Sequence, residues 1–291
     1  MGPIGVFDSG MGGLTVLRAL LRRLPDEDFI YFGDTARVPY GTKGARTVRA
    51  FARQDAAFLH AQGVKMIVVA CNTASAFALD ELQQEFPVPV LGVIEPGIEA
   101  ALARTRGGPI GVIGTSGTIR SGRYQEGLAR VVGAARVRAR ECPLFVPLAE
   151  EGLTEHPITE MAVAEYLLPL REAGVDTLIL GCTHYPLLKP AISRFMEPET
   201  VLVDSAEALA GAAARTLAER GLVRPAAAPP VPAGEAAPAR PQLEFWLSDV
   251  PWKFAEAGAR FLGRPIEAVR QVNLDEVEQA ACLVREQRSG A

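Results

Sequence analysis

The chain has 291 residues, 48% of them hydrophobic and 22% charged, which excludes a disulfide-stapled miniprotein and a disordered chain and leaves room for about two globular units at roughly 150 residues each. Thirty basic residues against thirty-four acidic ones leave a net charge of −4, so no global positive field draws the protein onto nucleic acid or anionic lipid. Cys71, Cys142, Cys182 and Cys282 stand far apart without a CxxC pair and with only three histidines, so no metal is expected.

Residues 1–13 show no basic region, sustained apolar run or cleavage signal, and no apolar stretch is long enough to span a bilayer. A cytoplasmic protein with reduced thiols is expected. Short apolar runs at residues 4–7, 29–32, 66–70, 90–94, 110–113, 177–180 and 201–203 alternate with longer amphipathic stretches. That rhythm predicts parallel strands joined by helices, and runs without alternation, such as Met66-Ile67-Val68-Val69-Ala70, predict strands covered on both faces. The fold class is α/β with doubly wound parallel sheets.

Pro3-Ile4-Gly5-Val6 recurs as Pro109-Ile110-Gly111-Val112, a shift of 106 residues, and Cys71 and Cys182 end apolar runs 111 residues apart. Two related half-molecules are implied. Residues 225–241 contain six Pro and seven Ala, a composition predicted to be a linker or surface loop. Beyond it, residues 243–247 read as a strand expected to rejoin a sheet, and residues 252–262 as an amphipathic helix stopped at Gly263.

Chemistry is expected where strands end. In Ala70-Cys71-Asn72-Thr73 a buried strand delivers a thiol to a helix predicted over residues 74–82, with Asn72 or Thr73 as its cap. Amides at a helix start stabilise an anion and offer donors to a carboxylate. Gly181-Cys182-Thr183-His184 repeats the arrangement. A lone cysteine so placed reads more simply as a buried small hydrophobe; two at nearly matching offsets do not. Asp8-Ser9-Gly10, residues 34–41, Thr115-Ser116-Gly117-Thr118, and Glu150-Glu151 after an apolar run at 145–148 should converge on the same cleft, at the carboxyl ends of the strands. Capping and turn chemistry would account equally well for Ser9, Thr115 and Thr118 taken singly.

No dinucleotide fingerprint is complete, since Gly10-Met11-Gly12-Gly13-Leu14-Thr15 ends in Thr, and no GxxxxGK[ST] occurs. Lys43, Lys65, Lys189 and Lys253 give no persuasive Schiff-base setting, so no cofactor is expected. Thiols on two facing half-sites suggest removal of a proton from one face of a carbon and delivery to the other. A nucleophile-base dyad for acyl transfer would leave the second thiol unexplained.

Phe7-Asp8-Ser9-Gly10, the run from Tyr31 through Gly41 (YFGDTARVPYG), Cys71-Asn72-Thr73, Val93-Ile94-Glu95-Pro96-Gly97 and Gly181-Cys182-Thr183-His184-Tyr185-Pro186-Leu187-Leu188 resemble the bacterial glutamate racemases of the aspartate/glutamate racemase superfamily. The resemblance runs to about Pro190 and resumes after the Pro/Ala segment, which departs from a shorter family connection. It implies two pseudo-symmetric domains, residues 1–95 with about 210–291 and residues 96–209, closing on a cleft between them. It also implies a cofactor-independent mechanism in which Cys71 and Cys182 flank the substrate α-carbon, Asp8 assists Cys71, His184 assists Cys182, and Glu151 joins the second half-site. Asp8, Ser9, Pro39, Tyr40, Gly41, Asn72, Thr73, Thr183 and His184, with Thr115 and Thr118, would hold the substrate, L- or D-glutamate. A homodimer supplying D-glutamate for peptidoglycan is the family expectation, without membrane or direct nucleic-acid contact. Racemisation of aspartate, and a non-catalytic binding role such as the DNA gyrase interaction of some family members, are the competing readings.

Overall fold

A computed structural model describes residues 2–196, 198–225 and 241–289. The predicted linker at 225–241 therefore lies outside the described residues except for its two ends. The strands are β1 (Ile4–Asp8), β2 (Phe29–Gly33), β3 (Met66–Val69), β4 (Val90–Gly92), β5 (Ile110–Gly114), β6 (Val137–Glu141), β7 (Thr177–Gly181), β8 (Val201–Asp204), β9 (Leu243–Leu247) and β10 (Arg270–Gln271). Between and after them run α1 (Leu14–Arg23), α2 (Ala45–Ala61), α3 (Asn72–Glu85), α4 (Ile94–Leu102), α5 (Ser116–Arg120), α6 (Arg123–Val132), α7 (Phe145–Glu150), α8 (Pro157–Glu172), α9 (Lys189–Phe195), α10 (Ser205–Glu219), α11 (Phe254–Leu262) and α12 (Leu274–Ser289).

Two sheets result, ordered β10-β9-β2-β1-β3-β4 and β6-β5-β7-β8, and every pairing is parallel. With β9 and β10 set aside, both sheets share one order, in which the first strand of each half lies between its second and third. β1 and β5, which carry the Pro-Ile-Gly-Val echo, are therefore equivalent, as are β3 and β7, which lead to Cys71 and Cys182. Where strand order reverses, the loops beyond the carboxyl ends splay apart and leave a crevice.

Register sets the level of the groups at that crevice. Phe7 pairs with Val69, so Asp8 stands level with Ala70 and Cys71 comes next. Gly114 pairs with Gly181, so Thr115 stands level with Cys182. β1, β2, β3, β5 and β7 are buried along their whole length, as expected for parallel strands covered on both faces. On one face of the larger sheet α2, α3 and α12 enclose an apolar core, and on the other α1 packs against α10 in a core that continues into the smaller sheet. The predicted helix at 252–262 is α11, which ends at Gly263 with φ +78°, a left-handed turn that suits glycine.

Two local expectations are corrected. Residues 145–148 are the start of α7; the strand of that region is β6, an edge strand whose Arg138 and Arg140 give it no apolar signature. The cap of α3 is Cys71 itself, whose Sγ accepts the Ala74 amide at 3.4 Å.

Candidate active site

Both thiols line one cleft between the two sheets. From the first half come Ser9, Pro39, Tyr40, Gly41, Cys71, Asn72 and Thr73, and from the second Thr115, Thr118, Cys182, Thr183 and His184. Of the sequence-predicted residues only Asp8 and Glu151 are absent from its walls. Gly10, Val38, Val146 and Glu150 complete the lining. Val146 carries no polar group, and its place in the lining follows from the helical turn of α7.

The first half-site is built by β1 and β3. Asp8 is fully buried, and its Oδ2 accepts the Gly10 amide at 3.0 Å, which turns the chain around behind the cleft wall. Its Oδ1 has no hydrogen-bond partner among the described residues. Burial raises the Asp8 carboxyl above its ordinary range, with Glu150 adding a little, while the His184 charge and the Gly13 and Gly10 amides oppose the shift. Cys71 Sγ stands 3.8 Å from Ser9 Oγ. Burial pushes the Cys71 thiol up to about 12, Asp8 and Cys182 add to the effect, and the Ala74 amide and Ser9 hydroxyl work against it. In the free site Cys71 is accordingly a thiol.

The second half-site is a chain of contacts. His184 Nδ1 stands 3.8 Å from Cys182 Sγ, and its Nε2 is 2.9 Å from Glu150 Oε1. Burial disfavours charge on this imidazole, but the bonds to Cys182 and Glu150 outweigh it and raise His184 to about 10. The ring is thus an imidazolium at neutral pH, with a donor on each side. Phe261 of α11 meets it edge-on at 5.1 Å between ring centres, and Arg260 holds the Glu150 carbonyl at 2.6 Å. Glu151 is corrected here: its side chain is 67% exposed and lies 4.0 Å from Lys253. Successive residues at the end of α7 point about 100° apart, so when Glu150 faces His184 its neighbour faces solvent.

Hydrogen bonds join the halves at the cleft. The hydroxyls of Thr73, Thr115 and Thr118 form a closed triangle with sides of 2.9, 3.1 and 3.0 Å. Thr15 Oγ1 donates to the Thr183 carbonyl at 2.9 Å, and Tyr124 Oη to Asn72 Oδ1 at 2.8 Å. Gly12 lies so close to the second half that a Cβ there would sit 2.3 Å from Thr183 Oγ1 and 2.4 Å from the His184 ring.

The fold and site define a two-domain α/β protein with a thiol presented by each half to a shared cleft. The family model for Asp/Glu/Hydantoin racemase matches residues 4–213. A glutamate racemase of Geobacter metallireducens is 51% identical over 272 residues, covering 94% of this chain and 97% of the relative. Among solved structures, glutamate racemase from Thermus thermophilus in complex with β-chloro-D-alanine aligns with a TM-score of 0.82 at 47% identity, covering 94% of this chain and 98% of that one. Glutamate racemase from Francisella tularensis in complex with D-glutamate aligns with a TM-score of 0.84 at 38% identity over the same shares. The chain belongs to the Asp/Glu/Hydantoin racemase family and is an isomerase. Among the described residues no helix is long and apolar enough to cross a membrane.

A methyl group at Gly12 is expected to displace His184 from Cys182. Gly12→Ala should lower the turnover number by about 10²-fold, the scale of a misplacement of about 1 Å in a reacting group, while circular dichroism reports a folded protein. A variant that turns over at the parental rate would show that the half-sites tolerate this shift.

Proposed function

We propose that the protein interconverts L- and D-glutamate, without a cofactor, by a two-base mechanism that uses Cys71 and Cys182. The observation that carries this reading is the placement of the two thiols, each beyond the equivalent strand of its own sheet, on one cleft lined from both halves. Inversion at a carbon needs a base on one face and an acid on the other. Cys71 takes the α-proton of D-glutamate as a thiolate while Cys182 delivers its proton to the opposite face; for L-glutamate the roles exchange. Turnover leaves the two protonation states swapped, and exchange with solvent resets them.

His184, as an imidazolium held by Glu150, donates toward Cys182 and supports its thiolate. Asp8 serves Cys71 from behind the cleft wall, its Oδ1, without a partner among the described residues, being the acceptor through which a proton is passed. An amino-acid α-proton is far less acidic than a thiol, so the anionic transition state needs preorganised donors. The free amides at the start of α3 and the threonine hydroxyls supply them, and Ser9, Asn72, Thr73, Thr183 and residues 39–41 hold the ammonium and carboxylates. The domains are taken as residues 1–95 with about 210–291 and residues 96–209, a division that the strand membership of the two sheets supports. Glutamate is preferred over aspartate because the relatives over 94% of the chain carry that name. The resemblance extends the reading to a cytoplasmic homodimer that supplies D-glutamate to peptidoglycan.

The test is proton NMR of L-glutamate with purified protein in D2O, alongside circular dichroism of the same solution. Loss of the α-proton signal with decay of ellipticity is the expected result. Exchange of L-aspartate in its place would overturn the substrate, and exchange of neither would overturn the function.

A further inference from the structure

Behind the wall formed by residues 39–41, Tyr40 is anchored in a buried polar cluster whose other members, Asp34, Arg37 and Asp55, do not line the cleft and are not used by the proposed reaction. Tyr40 Oη touches two carboxylate oxygens, Asp34 Oδ2 and Asp55 Oδ2, the latter at 2.8 Å. Arg37 bridges the same two acids, Nε to Asp34 Oδ2 at 2.7 Å and Nη2 to Asp55 Oδ1 at 2.9 Å. Asp34 and Asp55 are 0% exposed, Tyr40 1% and Arg37 9%.

Two counts disagree with a pair of ionised acids. The first is of protons: one phenol O–H lies between two acceptor oxygens, and a hydroxyl donates a single bond, so one contact lacks its proton. The second is of charge: one guanidinium balances one of the two carboxylates, and an unpaired buried carboxylate is strongly disfavoured. One added proton satisfies both. Its place follows from the donors already present. Asp34 is met by Arg37 Nε, by Tyr40 and by Ser248 Oγ at 2.9 Å on Oδ1, the surroundings of an anion. Asp55 receives Arg37 on Oδ1 only, which leaves Oδ2 to act as an O–H donor to Tyr40.

We propose that Asp55 is held as a neutral carboxylic acid that donates to Tyr40, which donates to Asp34, and that this two-step chain makes Asp55 a positioning residue for the cleft wall at 39–41. The groups that face it are Asp34, Arg37 and Tyr40 from the segment after β2, with Gln54 and Ser248 at the rim and Asp8 beyond. Burial and then Asp34 push the Asp55 carboxyl well above its usual range, Asp8 adds to this, and Arg37 and the Tyr40 bond oppose it. Tyr40 carries the constraint to the site, since its neighbour Gly41 packs on Thr115 closely enough that a Cβ would lie 2.6 Å away. The kinetic arm of the test rests on the racemase reading; the spectroscopic arm does not.

Asp55→Asn keeps a neutral donor toward Tyr40, whereas Asp55→Ala removes it. The experiment compares the infrared carboxylic-acid carbonyl band at neutral pH between parent and Asp55→Asn, together with KM and kcat for both variants. The expected result is a parental acid band that disappears in Asp55→Asn. KM should rise about tenfold in Asp55→Ala with kcat within about threefold, and return to within about threefold of the parent in Asp55→Asn. A difference spectrum without an acid band, an Asp55→Asn variant that fails to fold, or one with KM as high as Asp55→Ala would each overturn the proposal. Should Asp55→Ala not fold, parent and Asp55→Asn decide it between them. If the protein racemises nothing, the function falls and the infrared band alone decides Asp55.

Discussion

Removing either thiol is expected to stop racemisation in both directions. Cys71→Ala and Cys182→Ala should each lower kcat by about 10⁴-fold, the upper range for a positioned proton-transfer group. The path from L to D uses one sulfur as base and the other as acid, and the reverse path uses the same pair with the roles exchanged. Neither variant can therefore retain one direction. The fold allows a control, because Cys71 Sγ also accepts the Ala74 amide in the first turn of α3. Cys71→Ala loses that cap at a cost of up to about 1 kcal/mol; Cys71→Ser keeps an acceptor there and is expected to melt close to the parent while remaining inactive. Polarimetry with α-proton exchange in D2O measures the chemistry, and thermal unfolding measures the cap. Parental activity in either alanine variant would remove that sulfur from the mechanism.

The second large effect is expected at His184. Enantiomers have equal free energies, so kcat/KM must be the same from either side, and any loss at one half-site lowers both directions equally. His184→Asn should reduce kcat/KM by about 10²-fold in both, with Glu150→Gln intermediate and Glu151→Gln unchanged. Glu150→Gln also carries a pH signature. His184 is raised from 6.5 to about 10 in the fold, so the stability it contributes is fully present below pH about 6.5 and is lost as pH rises through about 10. The melting-temperature advantage of the parent over Glu150→Gln should therefore be large at pH 6 and nearly gone above pH 10. An advantage that grows with pH would contradict a charged His184.

Much of this was legible because buried parallel strands have to be apolar throughout. The runs at 4–7, 66–70, 110–113 and 177–180 announced β1, β3, β5 and β7, and these are the strands that aim Asp8, Cys71, Thr115 and Cys182. β6 was hidden because an edge strand carries charges outward, and its loss from view shifted the strand to residues 145–148. Glu151 came from the resemblance, and which of the two adjacent acids faces the cleft is decided only by the turn of α7. The Asp34–Tyr40–Asp55 cluster was illegible for another reason. Asp55 lies on the buried face of α2, where a charged residue has no periodic signature and is understood only once its partners, 15 to 21 residues away in sequence, are in place.

The threonine triangle has a consequence of its own. Three hydroxyls that each give and take one bond can circulate their protons in either of two senses, and the oxygen positions alone do not distinguish them. A ligand oxygen that accepts a bond from one of the three opens the ring into a chain that ends on the ligand, and leaves that hydroxyl only the acceptor role toward its two neighbours. Because Thr73 belongs to one half of the molecule and Thr115 and Thr118 to the other, a ligand bound at Thr73 makes the second half the donor in every contact of the triangle that crosses the cleft.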